Sequence, residues 1–298
     1  MKILVLLAML VSALATSVSA QVQPNMGTQN WDDFVVASPE HVAGNIYKVV
    51  GGVIVNMAFS VGEDGIILVD SNFQDLTGQI IAAIREVSDK PIRFLIDTHS
   101  HADHADGNVS FGETGTIIVA HDAVRAQLAN PPRGEAAAAL ALPVVTFPEQ
   151  VNFHFNGEEV EAFHVAAGHT DGDIMVYFKG SDVIHMGDVF VGHYPIIDTS
   201  RDGHILGVIE SLNVAIEKVS DNTKIIPGHG DVAVREDVIE FRDMLLGIYG
   251  SVNSLVAEGK SLQQVIAARP TSNYDAKWAG PQGSRGIISA AYNAARGE

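Results

Sequence analysis

Residues 98–104 read THSHADH and carry four potential metal ligands within six positions: His99, His101, Asp103 and His104. The apolar run before them, Ile92–Thr98, predicts a buried strand. His99 and His101 lie two positions apart where that strand ends, so both rings are expected on one side. Asp103 and His104 follow on a predicted loop that can turn them toward a second centre. Because imidazole nitrogens and carboxylate oxygens are good zinc ligands, the stretch favours a metal site over a solvent-exposed histidine-rich loop.

Three later segments each end a strand-like run in a candidate ligand next to glycine. They are Ala167-Gly168-His169-Thr170, Met186-Gly187-Asp188-Val189 and Pro227-Gly228-His229-Gly230. Glycine lets the backbone approach a buried site closely, and loops at strand ends are where a rigid scaffold displays functional groups. Each segment alone is typical of an ordinary strand-to-loop turn. Together with residues 98–104, they predict one shared metal centre.

The composition limits what else the protein can be. The chain has 298 residues, is 47% hydrophobic and contains 28 glycines, which suits one large globular domain or a domain with a small extension. It has no cysteine, which excludes disulfides, cysteine-ligated zinc, iron–sulfur clusters and a cysteine nucleophile. The formal charge of −18 and the lack of any long Lys/Arg run argue against nucleic acid and anionic membranes as partners.

Residues 1–20 predict a secretory signal peptide. Lys2 supplies the positive start, Ile3–Leu14 is almost continuously apolar, and Val18-Ser19-Ala20 fits a small-residue cleavage site before Gln21. The apolar run is shorter than the roughly 20 residues that span a bilayer, which argues against a membrane anchor. We therefore expect a secreted protein, periplasmic if the host is a Gram-negative bacterium, with no membrane contact after cleavage.

The spacing of apolar residues predicts strands that first form meanders and later alternate with helices. Predicted strands are Ile46–Val50, Val53–Ser60, Ile66–Asp70, Ile92–Thr98, Thr116–Ala120, Val151–Phe155, Glu158–Ala166, Asp173–Phe178, Val183–His185 and Lys224–Pro227. Predicted helices cover 74–88, the alanine run 136–139, 203–218, 233–257 and 261–268, with another from Asp122. Asn156-Gly157 between two strands is a strong hairpin signal. Two sheets packed face to face with helices outside would accommodate this order.

In the order of its motifs, the chain resembles the metallo-β-lactamase superfamily. The order is His-x-His-x-Asp-His, then His169, then Gly187-Asp188, then Gly228-His229, and the match spans roughly residues 44–230. The resemblance implies an α+β fold, namely an αβ/βα sandwich of two mixed sheets packed face to face, with helices outside and the metals at one edge. The chain then divides into a lead-in at 21–43, a core at 44–232 and a C-terminal helical extension at 233–298 that packs on the core.

The resemblance also implies two ligand sets joined by one carboxylate: His99, His101 and His169 for one metal, Asp103, His104 and His229 for the other, and Asp188 bridging both. Asp70 matches the acid that supports the metal loop in this family, although an ordinary strand-end carboxylate fits it equally well. Two zinc ions are expected, and the carboxylates also permit manganese or iron. The set is similar to that of glyoxalase II and lactonases. It departs from the β-lactamases that have cysteine at the Asp188 position and from the all-His/Asp β-lactamases, which usually lack the bridging acid.

These ligands imply hydrolysis of a carbonyl compound, so the expected partner is a small-molecule substrate. Two cations about 3.5–4 Å apart can hold a hydroxide at neutral pH, which attacks the carbonyl carbon, and Asp103 could orient it. The first hypothesis is an exported zinc-dependent β-lactamase, which opens a cyclic amide; export supports it, because cell-wall-directed antibiotics act there. The second is a lactonase or thioesterase, which the bridging Asp188 favours.

Two other functions rank below these. One is a mononuclear-iron persulfide dioxygenase that uses His99, His169 and Asp188, and the other is a non-catalytic metal-binding accessory protein. His193 and Tyr194 lie just past Asp188. They are predicted to line the substrate cleft, although a structural role fits them at least as well.

Overall fold

The strands of the chain form two sheets in the computed structural model, which describes residues 34–52 and 55–298. The predicted signal peptide at 1–20, most of the predicted lead-in and the first two residues of the predicted strand Val53–Ser60 lie outside the described residues. No helix within the two described ranges is long and apolar enough to cross a bilayer.

Among the described residues, the first sheet places seven strands side by side in chain order. They are β1 (Glu40–Ala43), β2 (Ile46–Gly51), β3 (Val55–Gly62), β4 (Gly65–Val69), β5 (Ile92–Ile96), β6 (Ile117–His121) and β7 (Val145–Phe147). Pairing is antiparallel from β1 to β4 and parallel from β4 to β7. β4 is buried along its whole length, as expected where helices and a second sheet cover both faces of parallel strands.

The second sheet, counted over the same part of the chain, has five strands in the order β12-β11-β10-β9-β8. They are β8 (Gln150–Phe155), β9 (Glu158–His164), β10 (Ile174–Phe178), β11 (Val183–His185) and β12 (Lys224–Ile226). Only β12 pairs in parallel, with β11. The predicted hairpin joins β8 to β9, where Asn156 and Gly157 have φ of 53° and 81°, the left-handed values that a two-residue turn needs.

Alternate side chains of the two sheets meet in a shared apolar core. Along β10, Ile174, Val176 and Phe178 pack between the sheets, while Met175 packs with the helices on the other face. This follows from the two-residue alternation of a strand. From the first sheet, Ile67 of β4 belongs to the same core between the sheets. Its side chain and those of the four β10 residues are all fully buried.

Helices cover the outer faces of both sheets. The α-helices of the described residues are α1 (Thr77–Arg85), α2 (Ala102–Ala105), α3 (Asn108–Glu113), α4 (Asp122–Ala129), α5 (Ile205–Lys218), α6 (Arg235–Ala257), α7 (Leu262–Ala268), α8 (Asp275–Trp278) and α9 (Arg285–Ala295). α1 buries Ile80 and Ile84 on the side of the first sheet. α5, α6 and α9 bring Leu212, Phe241 and Ile288 into the apolar core on the outer face of the second sheet.

The predicted α+β sandwich of two mixed sheets with outer helices is confirmed. Some local predictions are wrong. Asp103 and His104 lie on the short helix α2 and not on a loop. The alanine run at 136–139 forms no α-helix, because its residues are mostly exposed and have no apolar surface to pack on. β1, for which no strand was predicted, falls within the predicted lead-in at 21–43 and pairs with β2 at the edge of the sheet.

Candidate metal centre

The chain leaves β5 at Ile96, and the following residues, which include His99 and His101, turn sharply before α2. Since neither His99 nor His101 lies on a strand, strand alternation is not what brings their rings together. The turn does so and places the ring centroids 4.9 Å apart at 88°. α2 then carries His104 back toward His99, with 4.1 Å between the ring centroids.

A strained loop after β4 supports this stretch. Asp70 and Asn72 have φ of 65° and 57°, a left-handed conformation that residues other than glycine rarely adopt and that is often kept at functional sites. The buried Asp70 carboxylate accepts hydrogen bonds from the backbone nitrogen and hydroxyl of Thr98, at 2.7 and 2.9 Å. It also accepts one from Nδ1 of His104, at 2.8 Å. Asp70 therefore fixes the His104 ring and leaves Nε2 free to face the other ligands.

Two glycine turns after β11 and β12 bring in Asp188 and His229. The backbone nitrogen of Gly228 donates to the carbonyl oxygen of Gly187 at 2.8 Å. A β-carbon at Gly228 would overlap the Asp188 carboxylate. Only glycine allows the two turns to approach this closely, so the glycines of both motifs position the ligands beside them.

His169 lies on the loop between β9 and β10, which Asp173 holds in place. The buried Asp173 carboxylate accepts hydrogen bonds from the backbone nitrogens of His169 and Thr170, at 2.7 and 3.0 Å, and from the Thr170 hydroxyl, at 2.7 Å. Nδ1 of His169 donates to the carbonyl oxygen of Ile196 at 2.7 Å. The His169 ring therefore presents Nε2 to the other ligands.

All seven predicted ligands converge. Among the described residues, three overlapping groups have ligand atoms within 4.8 Å of one another: His99, His101 and His169; Asp103, His104 and His229; and His99, His104 and Asp188. We call the first group the first trio and the second group the second trio. They contain the same residues as the two ligand sets that the family resemblance implies, and the third group joins them through Asp188.

The Asp188 carboxylate lies between the two trios. Its Oδ2 is 3.6 Å from Nε2 of His169 and 3.4 Å from Nε2 of His229, and its Oδ1 is 3.3 Å from Nε2 of His104. Ligand atoms about 2.1 Å from a tetrahedral cation stand about 3.4 Å from each other. The distances are therefore those of neighbouring ligands around shared cations.

Buried atoms at the centre support the same conclusion. In the described structure, His104 Nε2 and Asp188 Oδ1 are both buried without a hydrogen-bond partner, and such atoms call for an explanation. In the first trio, Nε2 of His169 lies 2.7 Å from Nδ1 of His101 and 3.2 Å from Nε2 of His99. Three converging ring nitrogens cannot satisfy one another with single protons, whereas one cation satisfies all three. The residues present fit two divalent cations such as zinc.

Sequence reasoning missed Asp198, on the loop after Asp188. Its Oδ2 accepts hydrogen bonds from Nε2 of His101 at 2.8 Å and from Nη1 of Arg201 at 2.6 Å. Because Nε2 is occupied in this way, His101 faces the first trio with Nδ1. A carboxylate behind a histidine ligand fixes its tautomer and orientation. No motif marks Asp198; its only signal is a carboxylate on a loop that follows a predicted ligand.

The first trio is electrostatically suited to bind a cation. Burial and the neighbouring His104 hold the pKa of His99 well below its usual range. Burial, together with His101, lowers the pKa of His169 to about 4. Both rings are therefore neutral at pH 7, which is the form that binds metals.

In the second trio the pKa values of the histidines are instead raised. Burial opposes a charge on His229 and on His104, but the carboxylates of Asp188 and Asp103 outweigh it. They raise the pKa of His229 to about 10 and that of His104 well above its usual range. In the metal-free protein, protons therefore occupy the positions that cations would take.

The centre opens to solvent at the second trio. The side chains of Asp103 and His229 are 20% and 15% exposed, whereas the residues of the first trio are at most 4% exposed. The half-buried His193 lies on this side, with its ring centroid 6.0 Å from that of His229. Tyr194 is instead buried, and its hydroxyl donates to Oδ1 of Asp275 at 3.0 Å. Of the two predicted cleft residues, the structure thus places only His193 beside the open side.

Comparisons with known proteins agree with this geometry. A family model described as the metallo-beta-lactamase superfamily matches residues 50–229, more than half of the chain. The metallo-beta-lactamase type 2 of Bacillus cereus is 28% identical over 185 residues, which cover 61% of this chain and 69% of that protein.

Solved structures share the fold. A metallo-beta-lactamase from Pontibacter korlensis superposes with a TM-score of 0.61 at 16% identity, over 71% of this chain and 99% of that one. The stereoselective inverting sec-alkylsulfatase Pisa1 from Pseudomonas sp. superposes with a TM-score of 0.65 at 18% identity, over 87% of this chain and 50% of that one. Residues 1–232 make up less than four-fifths of the chain. Because the alkylsulfatase superposition covers 87% of the chain, it also includes part of the C-terminal helices.

Proposed function

This chain belongs to the metallo-β-lactamase superfamily of metal-dependent hydrolases, and from that membership we propose that it is an exported zinc enzyme that opens the amide ring of a β-lactam. The observation that carries the proposal is the convergence of seven His and Asp side chains at one centre. Two relatives named metallo-beta-lactamase type 2, at 28% and 26% identity, support the choice of substrate. Export is supported by the signal-like sequence of residues 1–20.

We propose one zinc ion in each trio, with Asp188 shared between them. When bound, such a pair supplies a hydroxide nucleophile at neutral pH and polarises the carbonyl oxygen of the substrate. The first trio would hold its ion through three imidazole nitrogens, and the second through two imidazoles and the Asp103 carboxylate. Asp70 and Asp198 keep His104 and His101 oriented from behind, at 2.8 Å each.

Asp103 is the residue to which we assign orientation of the attacking water. Burial opposes its charge, but in the metal-free protein His104 and His229 lower the pKa of Asp103 to about 2, so it is a carboxylate at pH 7. It lies on the open side of the centre, where it can accept a hydrogen bond from water and aim the oxygen at the carbonyl carbon. We place the bound substrate on the same side, beside His193.

A second candidate is hydrolysis of a lactone or thioester. The position of Asp188 favours it, because this carboxylate lies between ligands of both trios, 3.6 Å from His169 and 3.4 Å from His229. That arrangement is similar to the bridging acid of glyoxalase II and lactonases. The same residues would act on the ester carbonyl, and the substrate alone would differ.

Initial rates on a chromogenic cephalosporin and on a simple lactone, measured side by side on the zinc-loaded protein, separate the two candidates. We expect fast cephalosporin turnover by the wild type. The Asp103→Ala variant should turn over at least about 100-fold more slowly, because the attacking water would lose its orienting group. Turnover of the lactone alone would support the second candidate function. A protein that binds one iron ion and hydrolyses neither substrate would instead indicate the dioxygenase.

Zinc binding at pH 7 is expected to release protons. In the metal-free protein, His104 and His229 hold protons because their pKa values are raised, that of His229 to about 10. A cation must displace these protons, so zinc affinity should rise as the pH increases from about 6 to 8. Isothermal titration calorimetry in two buffers of different ionisation enthalpy counts the protons. Zinc binding without any proton release would contradict this description of the second trio.

A further inference from the structure

Residues 190–198, which we call the support loop, contact ligands of both trios. The loop hydrogen-bonds to three ligands. The Ile196 carbonyl accepts from His169 Nδ1 at 2.7 Å and the Asp198 carboxylate accepts from His101 Nε2 at 2.8 Å, and these two bonds fix the ring of a ligand. The backbone nitrogens of Asp198 and Gly192 donate to the carbonyls of His169 and His229, at 3.0 and 2.8 Å, and these two bonds fix a ligand's backbone. A shift of the support loop would therefore move ligands of both proposed metals.

The C-terminal helical region holds the support loop at its middle. The backbone nitrogen of Tyr194 donates to the Trp278 carbonyl at 2.7 Å. The Tyr194 hydroxyl donates to Oδ1 of Asp275 at 3.0 Å and lies 3.3 Å from the Thr271 carbonyl. Nε2 of Gln282 is 3.2 Å from Nδ1 of the adjacent His193. All of these partners come from residues beyond 232, outside the part of the chain that carries the ligands.

Tyr194 is well placed to transmit this restraint. It is 3% exposed and lies two positions after Gly192 and two before Ile196, both of which bond to ligands. Burial and the hydrogen bond to Asp275 raise the pKa of Tyr194, so its hydroxyl keeps its proton and remains a donor. The Tyr194–Asp275 hydrogen bond links α8 to the support loop.

We propose that Tyr194 and Asp275 are positioning residues through which the C-terminal helical region holds the support loop and thereby sets the metal affinity of the centre. The inference rests on the proposed metal centre but goes beyond it, since neither residue is a ligand. Removing a direct partner of a ligand typically weakens metal binding 10- to 100-fold. The Tyr194–Asp275 hydrogen bond lies one step further from the metal, so its loss should weaken metal binding by a smaller but measurable factor.

The test is the zinc affinity of Tyr194→Phe, measured by competition with a chromophoric chelator. We expect it to weaken about 3- to 10-fold, the range set by the loss of one hydrogen bond. Asp275→Ala should weaken it similarly. Asp275→Asn keeps the acceptor and should retain wild-type affinity, although it loses the ion pair with Arg269. The matched control is Tyr249→Phe, which removes a hydroxyl from α6 without touching the support loop.

Two results would overturn the proposal. One is unchanged zinc affinity in Tyr194→Phe and Asp275→Ala together with a lower melting temperature of the metal-free protein, which is what a merely structural bond would give. The other is unchanged amide hydrogen exchange across residues 190–198 in the metal-free variants, which we expect to be faster than in wild type and in Tyr249→Phe. If the wild type binds no zinc, the metal centre itself fails, and the exchange measurement still decides whether these two residues hold the loop.

Discussion

Replacing Asp188 with alanine is expected to lower the rate of hydrolysis by about 1,000-fold and to leave fewer than two zinc ions per chain. Removing an outer partner of a ligand already costs 10- to 100-fold, and Asp188 lies within 3.3–3.6 Å of ligands from both trios. Its loss takes one negative charge and the shared ligand from both proposed ions at once. The rate loss should therefore exceed that of any variant that touches a single trio.

The measurement is kcat/KM on the preferred substrate together with elemental analysis of the same sample. Asp89→Ala, which removes an exposed aspartate from the turn before β5, serves as the matched control and should keep full activity and metal content. Far-UV circular dichroism should be unchanged in both, since Asp188 lies beside the core and not within it. An Asp188→Ala variant with two zinc ions and near-wild-type turnover would contradict the bridging role.

Removing the metals with a chelator is expected to abolish activity and to lower the free energy of unfolding by about 4 kcal/mol or more. A ligand present at about 1,000 times its Kd stabilises the folded state by roughly 4 kcal/mol per site.

Urea unfolding of the zinc-loaded and chelator-treated protein measures this difference, and activity is assayed in the same samples. Readdition of zinc should restore both stability and turnover. Magnesium, which binds histidine poorly, serves as the control and should restore neither. Turnover that survives complete chelation would rule out a metal-dependent reaction.

The architecture was predictable because its signals are local and periodic. The hairpin at Asn156-Gly157 follows from two residues that tolerate left-handed backbone, and the burial of β4 follows from its unbroken apolar run. The helix predicted for the alanine run at 136–139 is wrong, because high helix propensity alone does not stabilise a surface helix that has no apolar face to pack. His99 and His101 converge as predicted, but through a turn and not through strand alternation.

The convergence of the seven candidate ligands could be predicted because each lies in a short motif, whereas the residues that support them could not be predicted. Asp198, the Ile196 carbonyl and Tyr194 act through contacts between segments far apart in sequence, and a backbone carbonyl has no sequence signature. Tyr194 and His193 are neighbours in sequence, yet one is buried against α8 and the other lies beside the open side. Only the packing of the C-terminal helices separates their roles.

The number of zinc ions bound per chain, measured by equilibrium dialysis of the metal-free protein followed by elemental analysis, tests the central claim most directly. We expect two ions in the wild type and one in His101→Ala, which removes a ligand of the first trio only. One ion or none in the wild type, or two in His101→Ala with unchanged affinity, would contradict a centre built from two trios that share Asp188.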